Sequence, residues 1–348
     1  MTPARRHMNL KQLADHLGLS QATVSRALNG YPGARPATRE KVLAAAEQFG
    51  YEANAIARGL ATGRSGNIGI IFPVGSKLLL DPHFLEFLVG ATEFGATRDM
   101  SINLSAPAPS DEISKYSRMI RSRQVDGFIV NGPLLNDPRI ALLRGMNVPF
   151  IVHGRSEVDG PYAWLDIDNE SAFRRATALL LSLGHRRILL LGAPSHLTFA
   201  AHRERGFRAA FAEKRLVPEE RLILNQPMTE ETGYRCAAQF MTGRARPTAI
   251  LCNSMITALG ALRALGVAKL RVPEDCSLIA HDDVFPYITA ESMRPAITTT
   301  RSPIREHGRR IAQVLTEMAE GKAELDFHEL LDVDLIVRDS TGPAPRQG

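Results

Sequence analysis

The chain contains 348 residues, of which 44% are hydrophobic and 23% are charged, and its net charge at pH 7 is +5. This length suits two or three domains, and the composition excludes a disordered chain because it provides enough apolar surface for large cores. No run of about 18 apolar residues occurs and the basic start has no secretory pattern, so we expect a cytoplasmic protein with no membrane contact.

The excess positive charge lies in the first 64 residues. That segment contains nine Lys or Arg and four Asp or Glu, whereas bases and acids balance in the rest of the chain. A small basic unit on a neutral body is typical of a DNA-binding head. On charge alone, a basic tail without a partner stays an alternative.

Residues 8–53 have the pattern of three short helices. Asn9 can cap the first helix, and Gly18 can end it with a left-handed residue. A second helix is predicted over about Gln21–Leu28, and a third follows Pro36. Two short helices joined by a tight turn and closed by a third form a helix-turn-helix, whose second helix enters the DNA major groove.

The second helix would place its outward side chains at the edges of the bases. Arg26 can bind a guanine edge through two hydrogen bonds, Gln21 can contact adenine, and Ala22 can contact a thymine methyl group. Short polar side chains suit phosphates, which position the protein without specifying a sequence. For that role we select Thr23, Ser25, Asn29 and Thr38. A three-helix unit that docks onto another protein stays an alternative.

Short apolar runs alternate with helical patterns over residues 67–340. The clearest runs are residues 68–72, 101–105, 127–131, 149–153, 188–192, 249–252 and 277–281. This alternation predicts a doubly wound parallel α/β fold, and the segment is long enough for two lobes. Because ligands bind at the carboxyl ends of strands in such sheets, the residues that follow each run are candidates for a site.

Polar side chains lie where several of these runs end. Asn131, Arg155 and Asp282 follow runs, and Arg203 lies near the start of a helix. Carboxylate and guanidinium groups form paired hydrogen bonds with neighbouring hydroxyl groups, so this set suits a sugar. Two aromatic residues, Phe84 and Trp164, are candidates for a platform under the sugar ring. An ordinary core position is at least as good an explanation for Phe84 and a better one for Trp164.

Several segments resemble the LacI/GalR family of bacterial repressors. Residues 21–30 read Gln-Ala-Thr-Val-Ser-Arg-Ala-Leu-Asn-Gly and are similar to the recognition helix of that family, and residues 38–46 are similar to its third helix. The resemblance covers nearly the whole chain. It implies an N-terminal all-α helix-turn-helix head on a two-lobed, periplasmic-binding-protein-like α/β core with doubly wound parallel sheets.

The resemblance also assigns residues 54–66 to a hinge helix and linker. In proteins of this family the hinge helix folds on DNA and inserts a leucine into the minor groove, and Leu60 is the matching residue. Ordinary packing is the alternative for Leu60. A homodimer on a pseudo-palindromic operator is implied, since twofold heads contact twofold sites. We expect residues 341–348 to form a flexible tail.

Effector contacts follow from the same resemblance, which matches Asn131, Arg203 and Asp282 to effector-binding positions. The chain departs from many relatives at Ser254, where they have Asn, and at Met255, where they have Asp. Ser254 therefore joins the predicted effector-binding residues. With fewer polar side chains at these positions, the site has room for a bulkier ligand, such as a disaccharide. The Gly-Arg pair that ends in Arg155 resembles the same positions in regulators of maltose and α-glucoside use.

Motifs of common enzymes are missing from the sequence. Asp282 and Asp283 could form a carboxylate pair, but adjacent residues in an extended segment point in opposite directions. The histidines His153, His185 and His281 and the cysteines Cys236, Cys252 and Cys276 have no metal-ligand spacing. We therefore expect no enzymatic activity, no cofactor and no metal.

Together these features predict a transcriptional repressor that binds double-stranded operator DNA and that a sugar or disaccharide releases as an inducer. One alternative keeps the DNA-binding head but replaces the sugar with a phosphorylated metabolite or a protein corepressor. Another class of protein, a non-enzymatic sugar-binding protein, fits the large domain alone.

Overall fold

The structure is a computed structural model and describes residues 8–28, 33–51, 63–73, 81–242, 245–282 and 289–345. The chain forms two compact units, which divide between Ser65 and Gly66. Asn29, Asp283, Leu60 and most of the predicted hinge lie outside the described residues.

The N-terminal unit consists of three helices: α1 (Leu10–Leu17), α2 (Gln21–Leu28) and α3 (Pro36–Phe49). The Asn9 side chain accepts a hydrogen bond from the Gln12 backbone N–H, and the Gln12 side chain accepts one from the Asn9 N–H, both at 2.9 Å. Gly18 ends α1 with a left-handed φ of 65°. The predicted caps and the bounds of the second helix are therefore confirmed.

A small apolar core closes this unit. Its buried members are Leu13, Ala14, Val24, Ala27, Val42, Ala45 and Ala46. Leu28, at the end of α2, is only partly buried against this core. On the opposite side of α2, Gln21, Ala22 and Arg26 are exposed, so this helix presents polar side chains and a methyl group to a binding partner.

Replacing Asn9 by alanine is expected to destabilise the N-terminal unit by about 1 kcal/mol, because the first turn of α1 loses its side-chain cap. Gln12→Ala removes only the reciprocal bond and should cost less. Thermal unfolding of the full chain, followed by helical circular dichroism, measures both effects. Equal stability of Asn9→Ala and the wild type would contradict a capping role for Asn9.

The unit from Gly66 onward contains two six-stranded sheets. The first holds β1 (Asn67–Ile71), β2 (Ser101–Ser105), β3 (Gly127–Asn131), β4 (Phe150–His153), β5 (Ala163–Ile167) and β11 (His328–Leu331). Its strand order is β11-β5-β4-β3-β1-β2, and all of its pairs are parallel. An order with β1 inside the sheet is the mark of a doubly wound fold.

The second sheet holds β6 (Ile188–Gly192), β7 (Ile223–Asn225), β8 (Ala249–Cys252), β9 (Ser277–His281), β10 (Thr298–Arg301) and β12 (Asp334–Ile336). Its order is β12-β10-β9-β8-β6-β7, with parallel pairs except between β10 and β12. The two-lobed fold is confirmed, with one correction: this edge strand is antiparallel. The apolar runs found in the sequence do not include β5, β7, β10, β11 and β12. Strands β7, β11 and β12 are short or half-exposed, and β10 consists of three threonines and an arginine.

Eight helices of four or more residues are described in this unit. They are α4 (Pro82–Thr97), α5 (Glu112–Arg121), α6 (Pro138–Gly145), α7 (Asn169–Ser182), α8 (Thr198–Glu213), α9 (Glu230–Phe240), α10 (Met255–Val267) and α11 (Ile304–Ala319). They separate the sheets from solvent, and each lobe has its own apolar core. No helix in the described part of the chain is long and apolar enough to cross a membrane.

Helices α4 and α11 approach each other at backbone distance. A Cβ atom on Gly308 would lie 1.9 Å from the Phe87 carbonyl oxygen, and one on Gly90 would lie 1.8 Å from the Arg305 carbonyl oxygen. Only glycine allows this approach. The contact fixes the N-terminal ends of both helices, which carry His83 and His307.

Residues 341–345, which the sequence assigned to a flexible tail, are hydrogen-bonded to the second lobe. The Gly342 N–H donates to Ser277 Oγ at 3.0 Å, and the Ala344 N–H donates to the Leu183 carbonyl at 2.8 Å. The buried imidazole of His185 contacts Ser277 and the Gly342 carbonyl. These hydrogen bonds to the core hold the segment in place, and they cannot be predicted from its Pro/Gly-rich sequence.

Candidate functional site

A cleft of about 920 Å³ lies at the carboxyl ends of both sheets. Asn131 ends β3 and His153 ends β4 on one side, whereas Asn253 follows β8 and Asp282 follows β9 on the other side. The cleft thus forms where a doubly wound fold places its ligands. Its volume is near the upper end of the range for small-molecule sites.

Asp282 is one of the buried carboxylates of the cleft, with Asp137 and Asp166. Its backbone is left-handed, with φ 60°, and its residue surface is 4% exposed. The Ser302 hydroxyl donates to Asp282 Oδ2 at 2.5 Å, and the Ser302 N–H donates to Oδ1 at 3.3 Å. Two imidazole nitrogens also face Oδ2: His83 Nε2 at 3.1 Å and His281 Nε2 at 3.6 Å.

The electrostatics keep Asp282 ionised. Burial raises the pKa of its carboxyl, but the contacts with His83, His281 and Ser302 lower it by more, so the pKa lies below its usual value. For His83, burial lowers the pKa, and the neighbouring carboxylate more than reverses this. An anionic Asp282 at neutral pH is a strong acceptor for ligand hydroxyl groups.

Arg203 is held rigidly in the same cleft. Its Nε donates to Asn169 Oδ1 at 2.6 Å, and its Nη1 donates to Asn253 Oδ1 at 2.5 Å. The guanidinium lies between the rings of Phe173 and Phe199, 5.3 and 4.8 Å from their centroids. Burial lowers the pKa of Arg203 to about 9, which still leaves it charged at neutral pH.

Arg155 lies on the opposite wall and pairs with a buried acid. Its Nε donates to Asp166 Oδ2 at 2.9 Å, and its guanidinium stacks over Trp164, 5.2 Å from the ring centroid. Burial raises the pKa of Asp166, against the lowering effect of Arg155. Trp164 is not among the residues that line the cleft, and its ring stacks on His328. The prediction of Trp164 as a platform is therefore corrected, because Arg155 covers the ring.

Asn131 is positioned by two neighbours. Its Oδ1 lies 2.7 Å from His153 Nδ1, and its carbonyl accepts a hydrogen bond from Arg139. Arg139 forms a two-pronged pair with Asp137, at 2.9 and 2.6 Å. Because this buried pair also reaches the Gly132 carbonyl, it holds the loop that presents Asn131.

Two further predicted residues line the cleft but have structural partners. The Ser254 hydroxyl caps α10 by accepting a hydrogen bond from the Thr257 N–H at 3.2 Å. The Phe84 ring is 2% exposed and packs on Phe72 and Phe87. Both lie at the wall of the cleft, and their contacts with an effector stay predictions.

Several polar residues of the cleft were not predicted from the sequence, among them His83, Asp166, Asn169 and Asn253. His83 and Asn169 lie in the first turns of α4 and α7, which face the cleft because they follow strand ends. Asp166 interrupts an otherwise apolar strand, β5. A single acid in such a strand is a sequence feature that indicates a functional residue. Asn253 directly follows an apolar run, which is the same feature that marks the other candidates, but the prediction selected its neighbour Ser254.

Three histidines in the cleft are held neutral by their surroundings. Burial lowers the pKa of His153 and of His281 well below the usual value, with neighbouring cationic groups adding to the effect. Burial and the nearby His83 lower the pKa of His307 to about 4. The unfolded chain takes up protons near pH 6.5, whereas the folded chain does not. Their contribution to stability is therefore present above pH 6.5 and is lost as the pH falls toward the folded pKa.

The chain is accordingly expected to become less stable between pH 7 and pH 5, with His307 alone contributing roughly 1–2 kcal/mol of the loss. Replacing His307 by phenylalanine keeps an aromatic ring and removes the titrating group. Thermal unfolding at both pH values should show a smaller drop in Tm for His307→Phe. The same drop in both proteins would show that His307 does not titrate as described.

The described residues that the sequence predicts to contact DNA lie on α2 and at the start of α3. Arg26 is exposed, and Ser25 and Thr38 are half-exposed. The Thr23 hydroxyl lies 2.9 Å from Ser20 Oγ, so it helps to cap α2. Helices α1 and α2 and the turn between them form a helix-turn-helix in which one face of α2 is exposed.

A helix-turn-helix unit and a two-lobed core with one enclosed cleft define a DNA-binding regulatory protein. Residues 9–54 match the model described as "Bacterial regulatory proteins, lacI family", and residues 177–341 match the model of a periplasmic binding protein-like domain.

Full-length relatives extend this match. The chain is 45% identical over 340 residues to the HTH-type transcriptional regulator AglR of Rhizobium meliloti (strain 1021), covering 97% of this chain and 95% of the relative. It is 32% identical to the regulator RafR of Escherichia coli, over 90% and 93% of the two chains. The chain therefore belongs to the lacI family of bacterial regulatory proteins and is a DNA-binding transcriptional regulator.

A solved structure of the lac repressor dimer, bound to operator and the anti-inducer ONPF, has a TM-score of 0.82 and 26% identity to this chain, covering 96% of it and 99% of the repressor. The complex of the transcriptional regulator CelR with cellobiose has a TM-score of 0.72 and 26% identity, over 95% and 99% of the two chains.

Proposed function

We propose that the protein is a transcriptional repressor whose affinity for its operator is lowered by a sugar of disaccharide size bound in the cleft. The observation that carries this proposal is a pair of buried polar groups in the second lobe, Asp282 directly after β9 and Arg203 on α8, which line one cleft. The protein then acts by binding and not by catalysis. Because it must reach DNA, we place it in the bacterial cytoplasm.

The chemistry of the cleft supports a neutral, polyhydroxylated ligand. Asp282 can accept hydrogen bonds from neighbouring hydroxyl groups, while Arg203 and Arg155 can donate them. Six acids line the cleft, among them Asp282 and Asp166, against three arginines. This excess of acidic side chains disfavours a phosphorylated metabolite. The cleft of about 920 Å³ has room for two sugar rings.

The solved relatives add support. The complex of CelR with cellobiose shares the fold over nearly the whole chain, and cellobiose is a disaccharide. Asn131, Arg155, Arg203 and Asp282 are proposed as effector contacts, with Ser254 and Phe84 at the wall.

The head is proposed to contact DNA through α2. Gln21, Ala22 and Arg26 would contact bases, and Thr23, Ser25, Asn29 and Thr38 would contact phosphates. Leu60 would enter the minor groove from a hinge over residues 54–66. A homodimer would match a pseudo-palindromic operator, as the lac repressor dimer does in the solved complex with its operator.

The test is fluorescence anisotropy of a labelled palindromic operator taken from upstream of the gene, titrated with the full chain alone and with each member of a panel of mono- and disaccharides. One disaccharide is expected to weaken the complex by about 1–3 kcal/mol, or roughly 5- to 150-fold. Operator binding that no sugar changes would overturn the effector half of the proposal. Weakening by a phosphorylated sugar alone would favour the metabolite alternative.

A further inference from the structure

We propose that His83, His281 and Asp282 form a binding site for a divalent transition-metal ion such as Zn²⁺, and that the bound ion opposes binding of the sugar. His83 comes from the start of α4, whereas His281 and Asp282 are adjacent residues at the end of β9. One potential ligand atom from each lies within 4.8 Å of the other two. The opposition to sugar rests on the proposed function, whereas metal binding itself does not.

The spacing of the ligand atoms fits a tetrahedral ion. Asp282 Oδ2 lies 3.1 Å from His83 Nε2 and 3.6 Å from His281 Nε2. Ligand atoms bound at about 2.1 Å around a tetrahedral ion lie roughly 3.4 Å apart. The two distances bracket this value, and the ligand atoms of the two histidines lie within 4.8 Å of each other, so a modest approach of the side chains brings the three atoms around one ion.

The two imidazole nitrogens lack another use. His83 Nε2 and His281 Nε2 are buried, and within the described residues neither has a hydrogen-bond partner other than the Asp282 carboxylate that both face. His281 is 4% exposed, and its other nitrogen, Nδ1, lies 2.7 Å from the Thr300 hydroxyl. When Nδ1–H donates to that hydroxyl, Nε2 presents a lone pair toward a carboxylate oxygen. A cation bound between His281 Nε2 and the Asp282 carboxylate oxygen would replace this repulsion with two metal–ligand bonds.

The surroundings resemble the outer shell of a metal site. Metal-binding histidines commonly donate their second N–H to a fixed oxygen, and ligating carboxylates accept further hydrogen bonds. Thr300 fills the first role for His281, and Ser302 fills the second for Asp282. The positive charge of Arg203, which interacts with Asp282, disfavours a second cation nearby. Asp81 and Asp166 offset part of the Arg203 charge.

The ligand types select the ion. Two imidazoles and one carboxylate suit Zn²⁺ and related transition metals, whereas Mg²⁺ and Ca²⁺ prefer oxygen ligands only. Three protein ligands leave one position of a tetrahedral ion for water. An ion on Asp282 Oδ2 occupies the oxygen that would accept hydroxyl groups of the sugar, so metal and sugar should exclude each other.

Calorimetric titration of Zn²⁺ into the chelator-treated full chain tests the site. We expect one ion per chain in the wild type, and at least a tenfold loss of affinity in His83→Gln and in His281→Gln. His83 has a partly exposed side chain, so its variant should fold even if the buried His281 variant does not. His196→Gln is the matched control, since His196 is an exposed histidine at the same cleft. Its Zn²⁺ affinity should equal that of the wild type.

Co²⁺ provides a second readout, because a tetrahedral Co²⁺ site absorbs visible light strongly. We expect these bands in the wild type and in His196→Gln, but not in His83→Gln. The absence of Zn²⁺ binding in the wild type would overturn the proposal. Equal binding in the wild type and His83→Gln would also overturn it and would point to other ligands.

Sugar titrations with and without Zn²⁺ separate the metal site from the proposed function. Zn²⁺ should weaken sugar binding in the wild type and leave it unchanged in His83→Gln. If Zn²⁺ binds with the predicted dependence on His83 and sugar affinity does not change, the metal site stands and the placement of the effector at Asp282 is wrong.

Discussion

Replacing Arg26 by alanine is expected to weaken binding to the specific operator by about 1–3 kcal/mol and to change binding to unrelated DNA much less. The guanidinium lies on the exposed face of α2, where two parallel hydrogen bonds to guanine would supply sequence preference. Anisotropy titrations with operator and with scrambled DNA at one fixed salt concentration measure the ratio of the two affinities.

Arg26→Lys is the informative control, because it keeps the positive charge and loses the planar fork. It should bind scrambled DNA like the wild type and the operator almost as poorly as Arg26→Ala. Equal losses on both DNA sequences in Arg26→Ala would assign Arg26 to phosphate contact, and base recognition would have to lie elsewhere on α2.

Replacing Asp282 by asparagine is expected to lower affinity for the sugar by about 1.5–3 kcal/mol, because hydrogen bonds to a charged group are among the strongest that a cleft can offer. Affinity for the operator without sugar should not change, since the head is intact. The result would be a repressor that stays on DNA in the presence of its inducer.

The sugar affinity can be followed with the intrinsic fluorescence of Trp164, the single tryptophan of the chain. Its ring lies 5.2 Å from the Arg155 guanidinium, so it should respond when Arg155 binds a ligand. Ser302→Ala keeps the carboxylate and removes one of its donors, and it should cost less than Asp282→Asn. A normal response of Asp282→Asn to the sugar would show that the effector binds elsewhere.

The sequence predicted the head more accurately than the core. The caps at Asn9 and Gly18 and the bounds of α2 depend on local chemistry, which single residues reveal. In the second unit, the long apolar strands were found, whereas β7 and β12 were missed because strands of three residues have no periodicity to read. The antiparallel edge and the position of residues 341–345 depend on tertiary hydrogen bonds, which leave no local pattern.

The candidate site, too, could be predicted only in part from the sequence. Asn131, Arg155, Arg203 and Asp282 follow apolar runs or match the family, and the structure brings all four to one cleft. The pairing of Arg155 with Asp166 could not be predicted, because it depends on the neighbouring positions of β4 and β5. The cluster of His83 with Asp282 also depends on how α4 packs, since nearly 200 residues separate the two in the chain.

The central claim is that the sugar site and the DNA-binding head are coupled, and thermodynamic reciprocity offers its most direct test. Trp164 fluorescence would be used to titrate the sugar into the free protein and into the protein saturated with operator. The account predicts weaker sugar binding in the operator complex, by the same factor as the sugar weakens operator binding. Identical sugar affinity in the two titrations would contradict the account, because a ligand that binds both states equally cannot regulate the head.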